Sequence, residues 1–126
     1  MAEEQLSVGV DVIEVERIAR ALARHGARFL RRVYTPREVA YCRGRVAELA
    51  VRFAGKEAIS KALGTGIRGI HWREMEILAD GRGKPRVQLH GRARQRAEEL
   101  ELDHFAISLS HSRDHAVAFV VATQSE

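Results

Sequence analysis

Residues 53–66 read FAGKEAISKALGTG. The stretch reads as the last turns of a helix that stops at a glycine. At about 100° per residue, Glu57 projects near Val46, Ala50, Phe53 and Ala54, whereas Glu48, Arg52 and Lys56 share a different, polar face. A charge seldom sits on an apolar face unpaired. Glu57 therefore implies a partner elsewhere in the chain.

Traced toward the N-terminus, the helical pattern runs from Val46 to Leu63, and Gly64-Thr65-Gly66 ends it. Before it, Thr35-Pro36-Arg37-Glu38 is a strong helix start. Thr35 serves as N-cap, Pro36 fills the first position and Glu38 closes a capping box. A short helix through Cys42 follows. Glu14 to His25 predicts a helix with Val15, Ile18, Ala19 and Leu22 inward, stopped by Gly26. Leu6 to Ile13 alternates Leu6, Val8, Val10 and Val12 against Ser7, Gly9, Asp11 and Ile13, a strand with Asp11 on its less apolar side.

Beyond Gly66 the period changes. Met75 and Ile77, then Val87 and Leu89, predict a hairpin around Asp80-Gly81, and Gly91 to Leu102 a charged helix. Phe105 to Ser110 and Ala116 to Ala122 predict two further strands, with His111 to His115 as the turn. The order of elements argues for an α+β fold, a small antiparallel sheet packed with helices. No repeat or linker divides it, so residues 1–126 are expected to form a single domain.

At 45% apolar and 30% charged the chain is of ordinary globular composition. It has no 18-residue apolar run and no basic leader before Leu6, so a cytoplasmic protein without a membrane span is expected. The single cysteine, Cys42, excludes an internal disulfide and a multi-cysteine zinc site and is read as a small buried hydrophobe. The net charge of +4 comes from 18 Arg and only 3 Lys. Arg17, Arg20, Arg24 and Arg28 recur at spacings of three and four, a basic ridge opposite the buried stripe that suits an acidic partner.

Two carboxylates stand out for chemistry. Should the fold join Asp11 to Glu57, two like charges must share a proton or a cation. Mg²⁺ is the natural bridge, since it takes one or two protein carboxylates and completes its shell with water and substrate phosphate. The blander readings are a cap or turn role for Asp11 and an i,i+4 pair with Lys61 for Glu57. Arg52, Lys56 and Lys61 supply the cations that a pyrophosphate requires, and Gly64 to Gly66 would let a ligand approach the backbone. Ser108, Ser110 and His111 lack a nucleophile elbow, and His111 and His115 lie on a turn, which argues against a hydrolase triad and a zinc pair.

Taken together, GVDVIEVERI (Gly9 to Ile18), RRVYTPREVAYC (Arg31 to Cys42), RFAGKEAISKALGTGI (Arg52 to Ile67) and ISLSHSRDHAVAFVV (Ile107 to Val121) resemble the holo-acyl-carrier-protein synthases, the small trimeric class of 4′-phosphopantetheinyl transferases. Gly83 to Pro85 is also similar to the family's hairpin. Gly55 replaces the family's usual alanine, at roughly 1 kcal/mol of helix propensity.

The resemblance implies a phosphopantetheinyl transferase-like fold and attack by a serine of apo-acyl carrier protein on the β-phosphate of coenzyme A, leaving 3′,5′-ADP. It implies Asp11 and Glu57 as ligands of Mg²⁺, leaving open whether Mn²⁺ can replace it, and Lys61 at the leaving group. Glu57 or a metal-bound water would take the proton. Coenzyme A would be held by Arg52, Lys56, Lys61, Gly64, Thr65, Gly66, Pro85 and His111. The ridge of Arg17, Arg20, Arg24 and Arg28 would dock the acidic carrier protein, and a homotrimer with sites between subunits is expected. The other readings weighed are a small basic nucleic-acid-binding protein, suggested by a pI of 9.8, and a carrier-protein-binding module without catalysis. Aromatics at 6% and the absence of a stacking motif argue against the first, and the intact Asp11 and Glu57 against the second.

Overall fold

The opening alternation forms strand β1 (Leu6–Glu14). Its apolar side, however, points out: Leu6, Val8, Val10 and Val12 are 48–59% exposed, while Gly9 and Ile13 on the other side are buried. In the computed structural model, which describes residues 6–65 and 68–125, this side of β1 carries Asp11 toward the interior. Three helices follow, α1 (Val15–His25), α2 (Ala27–Val33) and α3 (Pro36–Cys42), and then the long α4 (Val46–Ala62).

After α4 come a 3-10 turn (Trp72–Glu74), the hairpin β2 (Met75–Ala79) and β3 (Pro85–Leu89), helix α5 (Gly91–Glu99), and strands β4 (His104–His111) and β5 (His115–Thr123). Two antiparallel sheets result, β1-β5-β4 and β2-β3. β5 is the centre of the larger sheet, with Asp11 opposite Ala118 and Val10 opposite Phe119. The α+β expectation is met, with the single sheet resolved into two.

α4 is the spine of the core. Leu49 through Lys56 are all buried, including Arg52 and Lys56, so the polar face expected for Glu48, Arg52 and Lys56 is folded inward. Burial on every side is what an axial helix between two sheets experiences. Gly55 has a reason to be there: a Cβ would stand 2.4 Å from Cδ1 of Ile77 on β2.

A second departure concerns the basic ridge. Gly26 adopts φ +53° and ends α1, so the chain turns into α2, a helix not anticipated from the sequence. Arg28 thus lies on α2, and the row of arginines is broken after Arg24. Thr35, by contrast, caps α3 as expected. Its hydroxyl accepts the Glu38 N–H at 3.2 Å, and Glu38 Oε1 accepts the Thr35 N–H at 2.9 Å.

Candidate active site

Asp11 and Glu57 come together because β1 and α4 touch backbone to backbone. A Cβ at Gly9, two residues before Asp11, would stand 1.9 Å from the carbonyl oxygen of Ala58, one residue after Glu57. Ser7 adds a hydrogen bond from Oγ to the Ala62 carbonyl at 2.6 Å. Only a residue without a side chain permits this approach at Gly9.

The cation of the cluster is Lys61. Its ammonium donates to the Val10 carbonyl at 2.9 Å and to Asp11 Oδ1 at 3.1 Å, so its ion pair crosses to β1. The other oxygen of Asp11, Oδ2, is buried and accepts no hydrogen bond among the described residues. Burial, and then the neighbouring Asp11 charge, pushes the Glu57 carboxyl above its usual range, against the pull of Lys61 and Arg17. A buried unpaired carboxylate oxygen beside a second, charge-repelled carboxyl fits a hard cation. No group of three or more His, Cys, Asp or Glu is gathered among the described residues. Two carboxylates suit Mg²⁺, whose remaining positions go to water and phosphate.

A second set of expected ligand residues meets elsewhere. Arg52, Pro85 and His111 line one cleft of about 230 Å³ together with Tyr41, Glu48 and Gly83. Arg52 is held there by Glu48 at 2.7 Å and the Ile77 carbonyl at 3.3 Å, and its guanidinium carbon lies 4.5 Å from the centre of the Tyr41 ring. Lys61 is nine residues further along α4, which is about 13.5 Å of helix. The two sets are separate patches of one chain.

A model of the 4′-phosphopantetheinyl transferase superfamily matches residues 7–120. The chain belongs to the holo-[acyl-carrier-protein] synthase family. A synthase of that name from Herpetosiphon aurantiacus is 51% identical over 123 residues, spanning 92% of this chain and 97% of its own. Crystal structures of the synthases from Neisseria meningitidis (36% identical, TM-score 0.85, 94% of this chain and 98% of that one) and Helicobacter pylori (28%, TM-score 0.84, 92% and 99%) share the fold, the latter in complex with coenzyme A. The chain is accordingly a phosphopantetheinyl transferase.

Within this synthase fold the expected residues are distributed unevenly. Asp11, Glu57 and Lys61 are brought together. Gly64 follows α4 with φ +75°, Thr65 is half-buried, and Gly66 lies outside the described residues. Arg17, Arg20 and Arg24 line one shallow cleft, which Arg28 does not join. Arg17 reaches further, with its guanidinium carbon 5.7 Å from the Phe53 ring centre and its charge acting on Glu57.

Lys56 is a correction, because it is fully buried and faces away from any surface ligand. Its ammonium donates to Glu38 Oε1 at 2.8 Å, the Met75 carbonyl at 2.8 Å and the Trp72 carbonyl at 3.1 Å. Neither this role for Lys56 and Glu38 nor the place of Tyr41 against Arg52 was read from the sequence, whereas Glu48 and Arg52 share a face as expected. The capping box gave the only hint of Glu38, and its backbone partners on β2 have no sequence signature. Cys42 meets its expectation: it is 0% exposed, and burial pushes its thiol up to about 11.

Proposed function

We propose that this synthase transfers the 4′-phosphopantetheine group of coenzyme A to a serine of an acidic apo-acyl carrier protein, with Mg²⁺ and with release of 3′,5′-ADP. The observation that carries the reading is the buried Asp11 Oδ2, without a hydrogen bond among the described residues, beside a Glu57 whose carboxyl is pushed up. In the reaction the serine oxygen bonds to the β-phosphorus, the bond to the 3′,5′-ADP oxygen breaks, and the serine proton passes to Glu57 or to water. Asp11 and Glu57 would hold Mg²⁺ or Mn²⁺, which supplies polarisation of the phosphate and offsets its developing charge. Lys61, anchored by Val10 and Asp11, holds its ammonium where the leaving group's charge grows. Gly64 and Thr65 lie at the end of the same helix to receive the phosphates.

The Arg52, Pro85 and His111 cleft completes the site from a neighbouring copy. Support comes from the separation of the two patches and from the outward apolar side of β1, where Leu6, Val8, Val10 and Val12 join Phe119 of β5 (45% exposed) in a stripe that a second copy would cover. With the family resemblance this favours a homotrimer, each chain a single domain. Arg17, Arg20 and Arg24 steer the acidic carrier protein, chiefly through its on-rate. No helix among the described residues is long and apolar enough to cross a membrane, which agrees with action in the cytoplasm.

Intact-mass measurement of an apo-acyl carrier protein after incubation with the chain, coenzyme A and Mg²⁺ tests the proposal. A phosphopantetheine-sized gain is expected, lost with a chelator and with Glu57→Gln. No gain with carrier proteins from fatty-acid and polyketide systems would overturn it.

A further inference from the structure

Lys56 is an amine placed at 0% exposure one residue before Glu57, where burial lowers its pKa against the pull of the Glu38 carboxylate, and the transfer chemistry gives it no part. Its three protons go to three different elements: the Glu38 carboxylate on α3, the Trp72 carbonyl in the 3-10 turn and the Met75 carbonyl on β2. Glu38, also 0% exposed, fastens the same point again, since its Oε2 accepts the Ile77 N–H at 2.9 Å and its Oε1 the Thr35 N–H at 2.9 Å. The Tyr34 ring closes the site, its centre 5.7 Å from the ammonium.

Stability alone does not account for this arrangement. A buried ion pair is often no more stabilising than apolar side chains of the same volume, but its hydrogen bonds are directional and specify one geometry. Apolar packing would hold α4 in place yet let it turn. A carboxylate about 6 Å from a helix axis moves about 2 Å when the helix rotates by about 20°. A misplacement of about 1 Å can cost a hundredfold in rate. On the far side α4 meets β1 through the close approach at Gly9, the Ser7 hydrogen bond and the half-exposed Lys61, which bonds to Val10 and Asp11.

We propose that Lys56 is a positioning residue that locks the rotation and register of α4 through Glu38, Trp72 and Met75, so that Glu57 is presented to Asp11. The proposal rests on the reading of Asp11 and Glu57 as a divalent-metal pair. It makes the consecutive Lys56 and Glu57 a division of labour, one side chain holding the helix and the next meeting the metal.

The test uses Glu38→Asp, which keeps both charges but draws the carboxylate back by one methylene, and the double variant Glu38→Gln/Lys56→Met, which removes both. Mn²⁺ binding in the presence of coenzyme A is read by electron paramagnetic resonance of the free ion, beside circular dichroism, kcat and the KM for carrier protein. Wild type should bind Mn²⁺ and Asp11→Asn should not. Failure there overturns the metal reading, and the proposal with it. Given that binding, Glu38→Asp should stay folded and lose about threefold to tenfold in Mn²⁺ affinity and in kcat, and the double variant tenfold or more, with the carrier-protein KM within twofold. A folded Glu38→Asp with wild-type Mn²⁺ affinity would leave the metal reading intact and overturn the role of Lys56, whether or not the double variant folds.

Discussion

Asp11 gives one oxygen to Lys61 and leaves the other without a hydrogen bond among the described residues, and burial and the Asp11 charge hold the Glu57 carboxyl above its usual range. Removing the second charge should relieve the folded state while ending its activity. Glu57→Gln is expected to raise Tm slightly in metal-free buffer and to lower kcat at least about a hundredfold, since even residues behind a metal ligand are typically worth 10–100-fold. Calorimetry with and without Mg²⁺ checks both halves.

The pH dependence has a definite sign. Glu57's folded-state pKa is raised, so metal-free stability from this group is fully present below the unfolded value and is lost as pH rises through the folded one. Metal competes with that same proton. Apparent Mg²⁺ affinity should therefore weaken on acidification beginning at a higher pH than an ordinary carboxylate would give, and Mg²⁺ titrations across mildly acidic pH measure this. Arg17 illustrates what periodicity conceals: it belongs to the basic ridge by spacing and to Glu57 by position. Charge reversal at Arg24 is thus the cleaner docking test, and Arg24→Glu should raise the carrier-protein KM several-fold more than the coenzyme A KM. Added salt should shrink the difference.

Single elements were legible where local chemistry decides them. Thr35-Pro36-Arg37-Glu38 states its capping box outright, and the Met75 and Val87 alternations state their hairpin. α2 was hidden because Gly26 looked like an end rather than a corner. The face of β1 was legible as an alternation, but which side turns inward depends on Gly9 meeting Ala58, a contact 49 residues away in sequence. That contact should be unforgiving. Gly9→Ala is expected to cost on the order of 3 kcal/mol of stability by urea unfolding, and to lower kcat more than either KM, because the strand that carries Asp11 must move.

The capping element offers a contrasting case. Burial pushes the Glu76 carboxyl up, but hydrogen bonds from Thr35, His90 and Arg37 outweigh it and hold the group below its usual range. Thr35→Ala removes a cap and one of those donors together, and should cost about 1–2 kcal/mol with little change in Mg²⁺ affinity.

At the largest scale, the chain carries on its outside what a sheet of this kind normally keeps within. Val10→Asp on the exposed stripe is expected to leave a soluble, folded monomer with less than about a tenth of wild-type turnover per chain, since Arg52, Pro85 and His111 would no longer face another copy's Asp11 and Glu57. Light scattering beside the mass assay decides the matter. A monomer with full activity would show that the two patches work within one chain. The composition of the chain did not foretell this stripe, because an apolar alternation reads identically whether a helix or another protomer covers it.

The outward stripe also bears on dosage. β1 is an edge of its sheet, so an unassembled chain presents the apolar side chains of an edge strand to whatever it meets. On the proposed assembly, output would rise faster than in proportion to the amount of chain made when copies are scarce, and level to proportionality once nearly every copy has found its neighbours. Halving expression near that threshold would more than halve the supply of finished carrier protein.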